Sequence, residues 1–212
     1  MPLLRPVSPD VLIDELVAVI AARPGWVRVA VDGPPPADPD RLADALVDPL
    51  RVRGRPVQRV RAADFRRPAS VRLERGRTNP DAYYEDWLDV RALAREVLDP
   101  LDAGGTGRIL PTFWDTGTDR ATRAPYVRLP PDGVLLLSGA LLQGAGLPFD
   151  LVVHLEMSPA ALARRTPAAE AWTLPAYRRY ADEVAPALLA DVVVRVDDPE
   201  HPATTAPATS AR

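Results

Sequence analysis

The chain has 212 residues, of which 47% are hydrophobic and 26% are charged, and its formal net charge is -3. This size and composition are typical of one globular domain with a substantial core. The sequence contains no cysteine, which excludes disulfide frameworks and thiolate chemistry, and its two histidines argue against a histidine-rich metal centre.

The apolar stretches are short. The longest, around 134–142, is well below the roughly 20 residues that a membrane-spanning helix needs. The N-terminus also lacks the basic and then apolar pattern of an export signal. We therefore expect a soluble, cytoplasmic protein.

Strands and helices are predicted to alternate along the chain. Ser8 before Pro9 is typical of a helix N-cap and first turn, and continuous apolar runs are typical of buried parallel strands. The predicted elements are a helix that occupies most of 1–25, a strand at 26–31, a helix from 39, a strand at 56–60, a helix at 88–98, strands at 134–137, 151–155 and 192–194, and helices from 159 and at 175–189.

This order predicts right-handed βαβ units around a mainly parallel sheet, which is an α/β fold. We expect a single domain at 1–198. The segment 199–212 is rich in Pro, Ala, Thr and Ser, and we expect it to be a disordered tail.

The basic residues are unusual in kind and in position. All 26 are arginine, so no lysine is available as a phosphate clamp, Schiff-base former or general base. Ten arginines lie between Arg51 and Arg77, against two acids, Asp64 and Glu74. Such a segment can attract phosphates or RNA, or it can be a solvated or substrate-covering surface. The scarcity of interleaved aromatic residues favours the second interpretation over a nucleic-acid site.

The turn after the first predicted strand is where a phosphate-binding loop with the pattern G-x-x-x-x-G-K-[ST] would lie. That frame holds Gly33-Pro34-Pro35-Pro36-Ala37-Asp38-Pro39-Asp40, so only the first glycine is retained. A phosphate loop points backbone N–H groups and a helix N-terminus at the anion, and proline has no N–H. Asp38 and Asp40 also place negative charge where phosphates would lie. The residues predict a rigid turn with a well-capped helix, although Asp40 could itself hold a metal.

An ordered set of segments resembles the uridine-kinase-like P-loop phosphotransferases, in particular their short bacterial members. The resemblance implies a three-layer P-loop fold and ATP-dependent transfer of the γ-phosphoryl group to a 5′-hydroxyl, assisted by Mg²⁺ and charge neutralisation. The likeness covers roughly 26–198 and comprises Val29-Ala30-Val31-Asp32-Gly33, Ala63-Asp64-Phe65-Arg66-Arg67-Pro68, Tyr83-Tyr84-Glu85-Asp86-Trp87-Leu88-Asp89, Phe113-Trp114-Asp115, the strand 134–139 and Tyr177-Arg178-Arg179-Tyr180.

The resemblance also implies losses on the catalytic side. The aspartate that acts as the base in relatives falls here at Ala63. Asp64 stands one residue later, but neighbours on an extended segment face opposite ways. The strand that ends in an acidic residue near the magnesium in relatives ends here in Ser138 and Gly139.

On the substrate side more is retained, and the candidates extend to Asp64 and Arg66. Asp86 matches the aspartate that hydrogen-bonds ribose hydroxyls in relatives, Tyr84 lies in the segment that lines the nucleoside pocket, and Trp114 with Asp115 lies where relatives contact the base. The phosphate-binding lid arginines of the family are matched by Arg164, Arg165, Arg178 and Arg179. Each position has an alternative: a helix-start carboxylate for Asp86, core or pocket-wall aromatics for Tyr84 and Trp114, and a solvated helix face for the arginines.

Three functional hypotheses remain open. The first is a degenerate member of the family that has lost ATP binding and phosphoryl transfer, needs no cofactor, and still binds a nucleoside, another small molecule or a protein. The second is a working ATP-dependent kinase with Mg-ATP as cofactor, in which Asp40 takes a metal and arginines replace the lysine. The third is another enzyme class or a regulatory partner on the same fold.

Overall fold

The computed structural model of the protein describes residues 4–205, which form a mixed α/β fold. The strands are β1 (Leu4–Pro6), β2 (Val27–Asp32), β3 (Val57–Arg61), β4 (Arg108–Ile109), β5 (Trp114–Asp115), β6 (Arg120–Ala121), β7 (Val127–Arg128), β8 (Val134–Gly139), β9 (Leu151–Glu156), β10 (Val192–Arg195) and β11 (Ala203–Thr205). The helices are α1 (Pro9–Ala21), α2 (Pro39–Ala45), α3 (Val47–Val52), α4 (Ala69–Arg72), α5 (Pro80–Glu85), α6 (Val90–Leu93), α7 (Pro159–Arg165), α8 (Leu174–Glu183) and α9 (Pro186–Leu189).

Within the described residues, seven strands form one sheet in the order β1-β11-β10-β9-β2-β8-β3. The run from β10 to β3 is parallel throughout, whereas β11 pairs antiparallel with both β10 and β1. The central strand β2 places Val31 opposite Val153 of β9 and Ser138 of β8. The predicted mainly parallel sheet is confirmed.

Helices cover both faces of this sheet. Val29 and Val31 of β2 pack with the buried residues of α1, α2 and α3, whereas Ala30 packs on the opposite face with residues of α6. Successive residues of a strand point to opposite faces, so a strand that is covered on both sides must be apolar throughout. The predicted three-layer arrangement is therefore confirmed, and the continuous apolar runs have a physical reason.

Two predicted helices are interrupted. The helix expected at 88–98 is the short helix α6 followed by a π-helical segment, Ala94–Leu98. The helix expected at 175–189 is divided into α8 and α9 because Ala185 takes a left-handed conformation, with φ +50°. The following Pro186 has no N–H and disfavours helical backbone in the residue before it, which accounts for the break.

Both ends of the described chain add strands to the sheet. The prediction of disorder from Pro199 is wrong for 203–205, which form β11, and residues 206–212 lie outside the described residues. Thr204 is only 1% exposed, and the N–H of Val193 donates to Thr205 Oγ1 at 3.0 Å. The expected N-terminal helix is α1, which begins at Pro9 after the predicted N-cap Ser8. The strand β1, which precedes it and pairs with β11, was not predicted. Among residues 4–205, no helix combines the length and the apolarity needed to cross a bilayer.

Candidate functional site

The strands β3, β8 and β2 end at one edge of the sheet, where a cavity of about 430 Å³ opens. This cavity 1 is walled by the proline-rich turn after β2, the turn after β3, the end of β8, and residues of α5 and α8. A second cavity of about 310 Å³, cavity 2, shares Gly33, Leu141 and Tyr180 with it and lies among β9, α7, α8 and α9. The carboxyl ends of parallel strands are the usual place for ligand sites in open α/β sheets.

The turn at 33–39 uses its backbone donors on the protein itself. Four of its residues are proline and have no N–H. The remaining N–H groups donate to carbonyl oxygens at 2.8–3.0 Å: Gly33 to Gly139, Ala37 to Pro34, and Asp38 to Pro35. This stretch therefore presents no free backbone N–H to a ligand.

A carboxylate closes the N-terminus of α2 next to this turn. Asp38 takes a left-handed conformation, with φ 56° and ψ 59°, and its Oδ1 accepts the N–H of Arg41 at 3.1 Å. An acidic N-cap satisfies the donors of the first turn and opposes a second anion at the same place.

Asp40, the next acid of the turn, is held by other parts of the fold. Ser138 Oγ donates to Asp40 Oδ1, and Arg59 Nη2 donates to Ser138 Oγ at 3.0 Å. Two guanidinium groups lie near the same carboxylate, Arg59 at 3.6 Å and Arg61 at 3.9 Å. The two positions expected beside a magnesium thus contact each other and arginine. Within residues 4–205, no group of three or more acidic or imidazole side chains is arranged to hold a metal ion.

A buried polar network separates the two cavities, and sequence reasoning did not identify it. Its centre is Asp32, which ends β2 and is 0% exposed. Four groups surround its carboxylate at 2.8–3.1 Å: the N–H of Leu142, Gln143 Nε2, Tyr180 Oη and His154 Nδ1. One signal in the sequence could have revealed this network: an acid and a histidine stand in strand segments that are otherwise apolar. In the sheet these two residues lie opposite each other, on β2 and β9.

Ala63, the position that the resemblance matches to the catalytic base, lines cavity 1, whereas Asp64 does not. Asp64 is half-buried, and its carbonyl oxygen accepts the N–H of Phe113 at 3.0 Å. Burial raises the pKa of the Asp64 carboxyl, although the nearby Arg61 guanidinium opposes this rise. The segment Ala62–Phe65 is a turn of 3-10 helix rather than the extended segment expected, yet the two neighbours still face different surroundings.

Aromatic side chains form one wall of cavity 1. Tyr83, Tyr84 and Trp87 line it together with Arg66, whose guanidinium carbon lies 5.4 Å from the centroid of the Trp87 ring. The guanidinium of Arg179 lies over the ring of Tyr84 at 4.5 Å. Of the substrate-side candidates, Tyr84 and Arg66 are therefore brought together at the cavity.

Asp86 lines neither cavity. It follows α5, and its Oδ2 accepts a hydrogen bond from Arg75 Nη2, which also donates to Glu85 Oε2 at 2.8 Å. The alternative interpretation of Asp86 as a helix-start carboxylate is wrong, because Asp89 fills that role: its Oδ1 accepts the N–H of Ala92 at 2.9 Å.

Trp114 and Asp115 belong to the hairpin of β5 and β6, outside the walls of both cavities. Trp114 Nε1 donates to Asp119 Oδ1 at 3.0 Å. Asp115 accepts hydrogen bonds from the Thr118 hydroxyl and from the N–H groups of Gly117 and Thr118, and these bonds lower the pKa of its carboxyl. In this arrangement both residues stabilise a turn.

The four lid candidates divide into two pairs. Arg164 and Arg178 are exposed on α7 and α8. Arg165 donates to the carbonyl oxygen of Val196 at 2.9 Å and to that of Pro36, so it joins α7 to the proline-rich turn. Arg179 bonds Glu85 at 2.7 Å and Glu183 at 2.8 Å, and these bonds raise its pKa.

An aromatic cluster joins α5 to α8, and it too was not predicted. The hydroxyls of Tyr83 and Tyr177 lie 2.7 Å apart, and both side chains are buried. The ring of Tyr83 packs edge-on against Trp87 at 5.0 Å and against Trp172 at 5.6 Å between centroids. Buried contacts, as well as the Arg179 ion pairs, thereby join the two helices α5 and α8 that wall cavity 1.

Solved structures place this architecture among the kinases. The chain is similar to a possible uridine kinase from Bacillus stearothermophilus, with a TM-score of 0.69 and 25% identity over 85% of this chain and 96% of that chain. It is also similar to a proposed fructose transport system kinase from Silicibacter sp. TM1040 (TM-score 0.57, 20% identity, 75% of this chain and 79% of that one) and to the YGR205w protein (TM-score 0.56, 12% identity, 92% and 95%). No protein-family model and no curated protein matches the sequence. The chain has the fold of the uridine-kinase-like P-loop kinases.

Proposed function

We propose that this protein is a small-molecule binding protein on a uridine-kinase-like fold, which holds its ligand in cavity 1 and transfers no phosphoryl group from ATP. The observation that carries the proposal is the turn at 33–39, where every backbone N–H is either missing or bonded to a carbonyl oxygen of the protein. A triphosphate is normally held by several such donors at once. The residues present do not fit Mg-ATP at this place.

Charge at the turn supports the same conclusion. Asp38 and Asp40 lie where phosphate oxygens would be, and the chain has no lysine to offset them. Arg165, which could have met a phosphate, bonds the carbonyl oxygens of Pro36 and Val196 instead. An arriving triphosphate would face two carboxylates, and this arginine would have to leave its carbonyl partners to meet it.

The acceptor side supports binding without transfer. Ala63 has no group that can remove a proton from a hydroxyl. Cavity 1 nevertheless has the size of an ordinary small-molecule site, and it keeps the aromatic wall of Tyr83, Tyr84 and Trp87. A ring-containing molecule can therefore be bound there although no base is positioned beside it.

A second candidate function is an ATP-dependent kinase in which arginine replaces the lysine of the phosphate loop. The observation in its favour is Arg61, which lines cavity 1 and lies 3.9 Å from Asp40. Arginine is a good phosphate ligand, so this candidate makes a definite prediction: ADP must form when ATP, Mg²⁺ and an acceptor are supplied.

The two functions are separated by a thermal unfolding experiment with Mg-ATP. A ligand at 100 times its Kd stabilises the native state by about 2.7 kcal/mol, which corresponds to roughly 5–10 °C in Tm for a chain of this length. We expect no such rise with Mg-ATP, and no ADP above background with a panel of nucleosides and sugars. A rise of several degrees, or ADP formation that depends on an acceptor, would overturn the proposal.

Binding in cavity 1 is tested with a variant that fills it. Ala63 is exposed on the cavity wall, so Ala63→Trp occupies the space without disturbing the core. Compounds of the same panel that raise the Tm of the natural protein should not raise that of Ala63→Trp. Equal shifts in both proteins would place the binding elsewhere and contradict the proposal.

A further inference from the structure

Two guanidinium groups lie against one indole at the wall of cavity 1. The guanidinium carbons of Arg66 and Arg72 are 5.4 Å and 5.2 Å from the centroid of the Trp87 ring. The two like charges repel each other, so this arrangement costs free energy unless a negative charge is near. Burial lowers the pKa of Arg72, and the positive charge of Arg66 lowers it further, as expected for two neighbouring guanidinium groups that repel each other.

The two arginines differ in the acceptor groups that lie near their positive charges. Arg72 is buried, donates from Nε to the carbonyl oxygen of Arg67 at 2.6 Å, and lies 3.7 Å from Asp119. Among residues 4–205, no carboxylate oxygen lies within 4.0 Å of the guanidinium of Arg66; Asp64 acts on it only from farther away. Arg66 is also the one of the two that lines cavity 1.

The acids in the cavity wall are already engaged. Asp38 caps α2 through the N–H of Arg41, and Asp40 is bonded by Ser138. Glu85 pairs with Arg75 at 2.8 Å and with Arg179 at 2.7 Å. Ala63, which also lines the cavity, has no carboxylate that could repel an anion. The uncompensated charge that faces the cavity is therefore positive, at Arg66, whereas Arg61 on the same wall lies 3.9 Å from Asp40.

We propose that cavity 1 is built for an anionic ligand, a phosphate monoester or a carboxylate, whose oxyanion pairs with the guanidinium of Arg66 while its organic part lies along Tyr83 and Tyr84. This inference rests on the proposed function, since it names the ligand class of the same cavity. A planar guanidinium offers two parallel N–H donors to a carboxylate or phosphate, and the contact with the Trp87 ring restricts the positions that this guanidinium can take. The cavity thus favours a charged molecule over the neutral alcohol of the same shape.

The test uses inorganic phosphate and acetate as probes of the two oxyanion types, with sodium chloride added to keep the ionic strength constant. The readout is tryptophan fluorescence, because Trp87 contacts Arg66 directly. We expect at least one probe to give a saturable change. In Arg66→Gln its affinity should fall about tenfold or more, equivalent to roughly 1.4 kcal/mol. Arg178→Gln is the matched control, because Arg178 is exposed on α8 and lines neither cavity.

A second variant keeps the experiment decisive if Arg66→Gln is poorly folded. Ala63→Glu leaves Arg66 in place but adds a carboxylate to the wall of the cavity, and it should weaken the same response. The inference is overturned if neither probe gives a saturable response, or if the response is unchanged in both variants. An anion that binds at the turn 33–40 would still bind in both variants, so the two variants distinguish that site from the one at Arg66. ADP formation in the assay with ATP would overturn the proposed function but not this inference. The two results are separable because the anion titrations of the natural protein and of Arg66→Gln contain no ATP.

Discussion

Asp32 and His154 face each other across the centre of the sheet: they are register partners on β2 and β9, and Asp32 Oδ2 lies 2.8 Å from His154 Nδ1. The Asp32 carboxylate is fully buried and also accepts hydrogen bonds from Gln143 Nε2 and Tyr180 Oη. A buried carboxylate is stable only when its hydrogen bonds are made, so this network fixes the position of the wall between cavity 1 and cavity 2.

We expect Asp32→Asn to lower the free energy of unfolding by about 2–4 kcal/mol, because the new amide N–H₂ would face groups that donate to the carboxylate. Urea denaturation measures the change. Asp14→Asn is the control, since Asp14 is exposed on α1, and its effect should stay within about 0.5 kcal/mol. Equal effects of the two substitutions would contradict a structural role for the network.

The hydroxyl pair of Tyr83 and Tyr177 should couple α5 to α8. Tyr177→Phe removes one buried hydroxyl and leaves the other without its partner, at a cost of about 1 kcal/mol. The double variant with Tyr83→Phe should cost less than the sum of the single changes, because the second substitution removes the orphaned group. Chemical denaturation of the four proteins gives the coupling energy. Strict additivity would mean that the two hydroxyls do not interact.

Stability should fall at alkaline pH because of buried tyrosines. Burial raises the pKa of Tyr83, Tyr177 and Tyr180. The unfolded value is about 10, so their contribution is complete below that pH and is lost as the pH rises further, at up to about 1.4 kcal/mol per pH unit for each tyrosine. The chain has no lysine and no cysteine, which leaves tyrosine as the dominant group titrating in this range.

Urea denaturation between about pH 9 and pH 11.5 measures this loss, and the absorbance of the phenolate reports ionisation directly. Tyr177→Phe should make the fall in stability less steep. Two outcomes would show that these hydroxyls are not held in a buried state. One is a free energy of unfolding that stays constant over this pH range, and the other is ionisation of these tyrosines while the protein is still folded.

Gly33 is required by close packing rather than by an unusual backbone angle. A Cβ at this position would lie 2.8 Å from Leu155 Cβ and 3.1 Å from the Leu155 carbonyl oxygen. We expect Gly33→Ala to destabilise the protein by about 1–3 kcal/mol, as overpacking in a core does. Gly117→Ala is the control, because its Cβ would meet only Asp115 Oδ1, at 3.3 Å. Thermal unfolding compares the two, and a loss no larger than that of the control would contradict the packing argument.

Much of the fold could be predicted from local patterns. The strands β2, β8 and β9 were found because a strand that is covered on both faces must be apolar along its whole length. The helix α1 was found because Ser8 and Pro9 are strong start signals. Breaks such as that at Ala185 were missed, since a left-handed alanine depends on packing around it and leaves little local signal. The strand β11 was missed because Ala203–Thr205 becomes a strand only through pairing with β1 and β10.

The same division holds for the candidate site. The amino-acid sequence alone shows that the turn at 33–39 has few donors, that the chain offers no lysine and that Ala63 has no basic group, because a side chain without a chemical group lacks it in any fold. Other features depend on the folded arrangement: the remaining N–H groups of the turn bond to the protein, Asp32 meets His154, and the guanidinium of Arg66 lies over the Trp87 ring with no carboxylate of residues 4–205 paired to it. These contacts join residues that are far apart in the chain or in adjoining turns. Their geometry follows from the strand order and helix packing, which no single segment encodes.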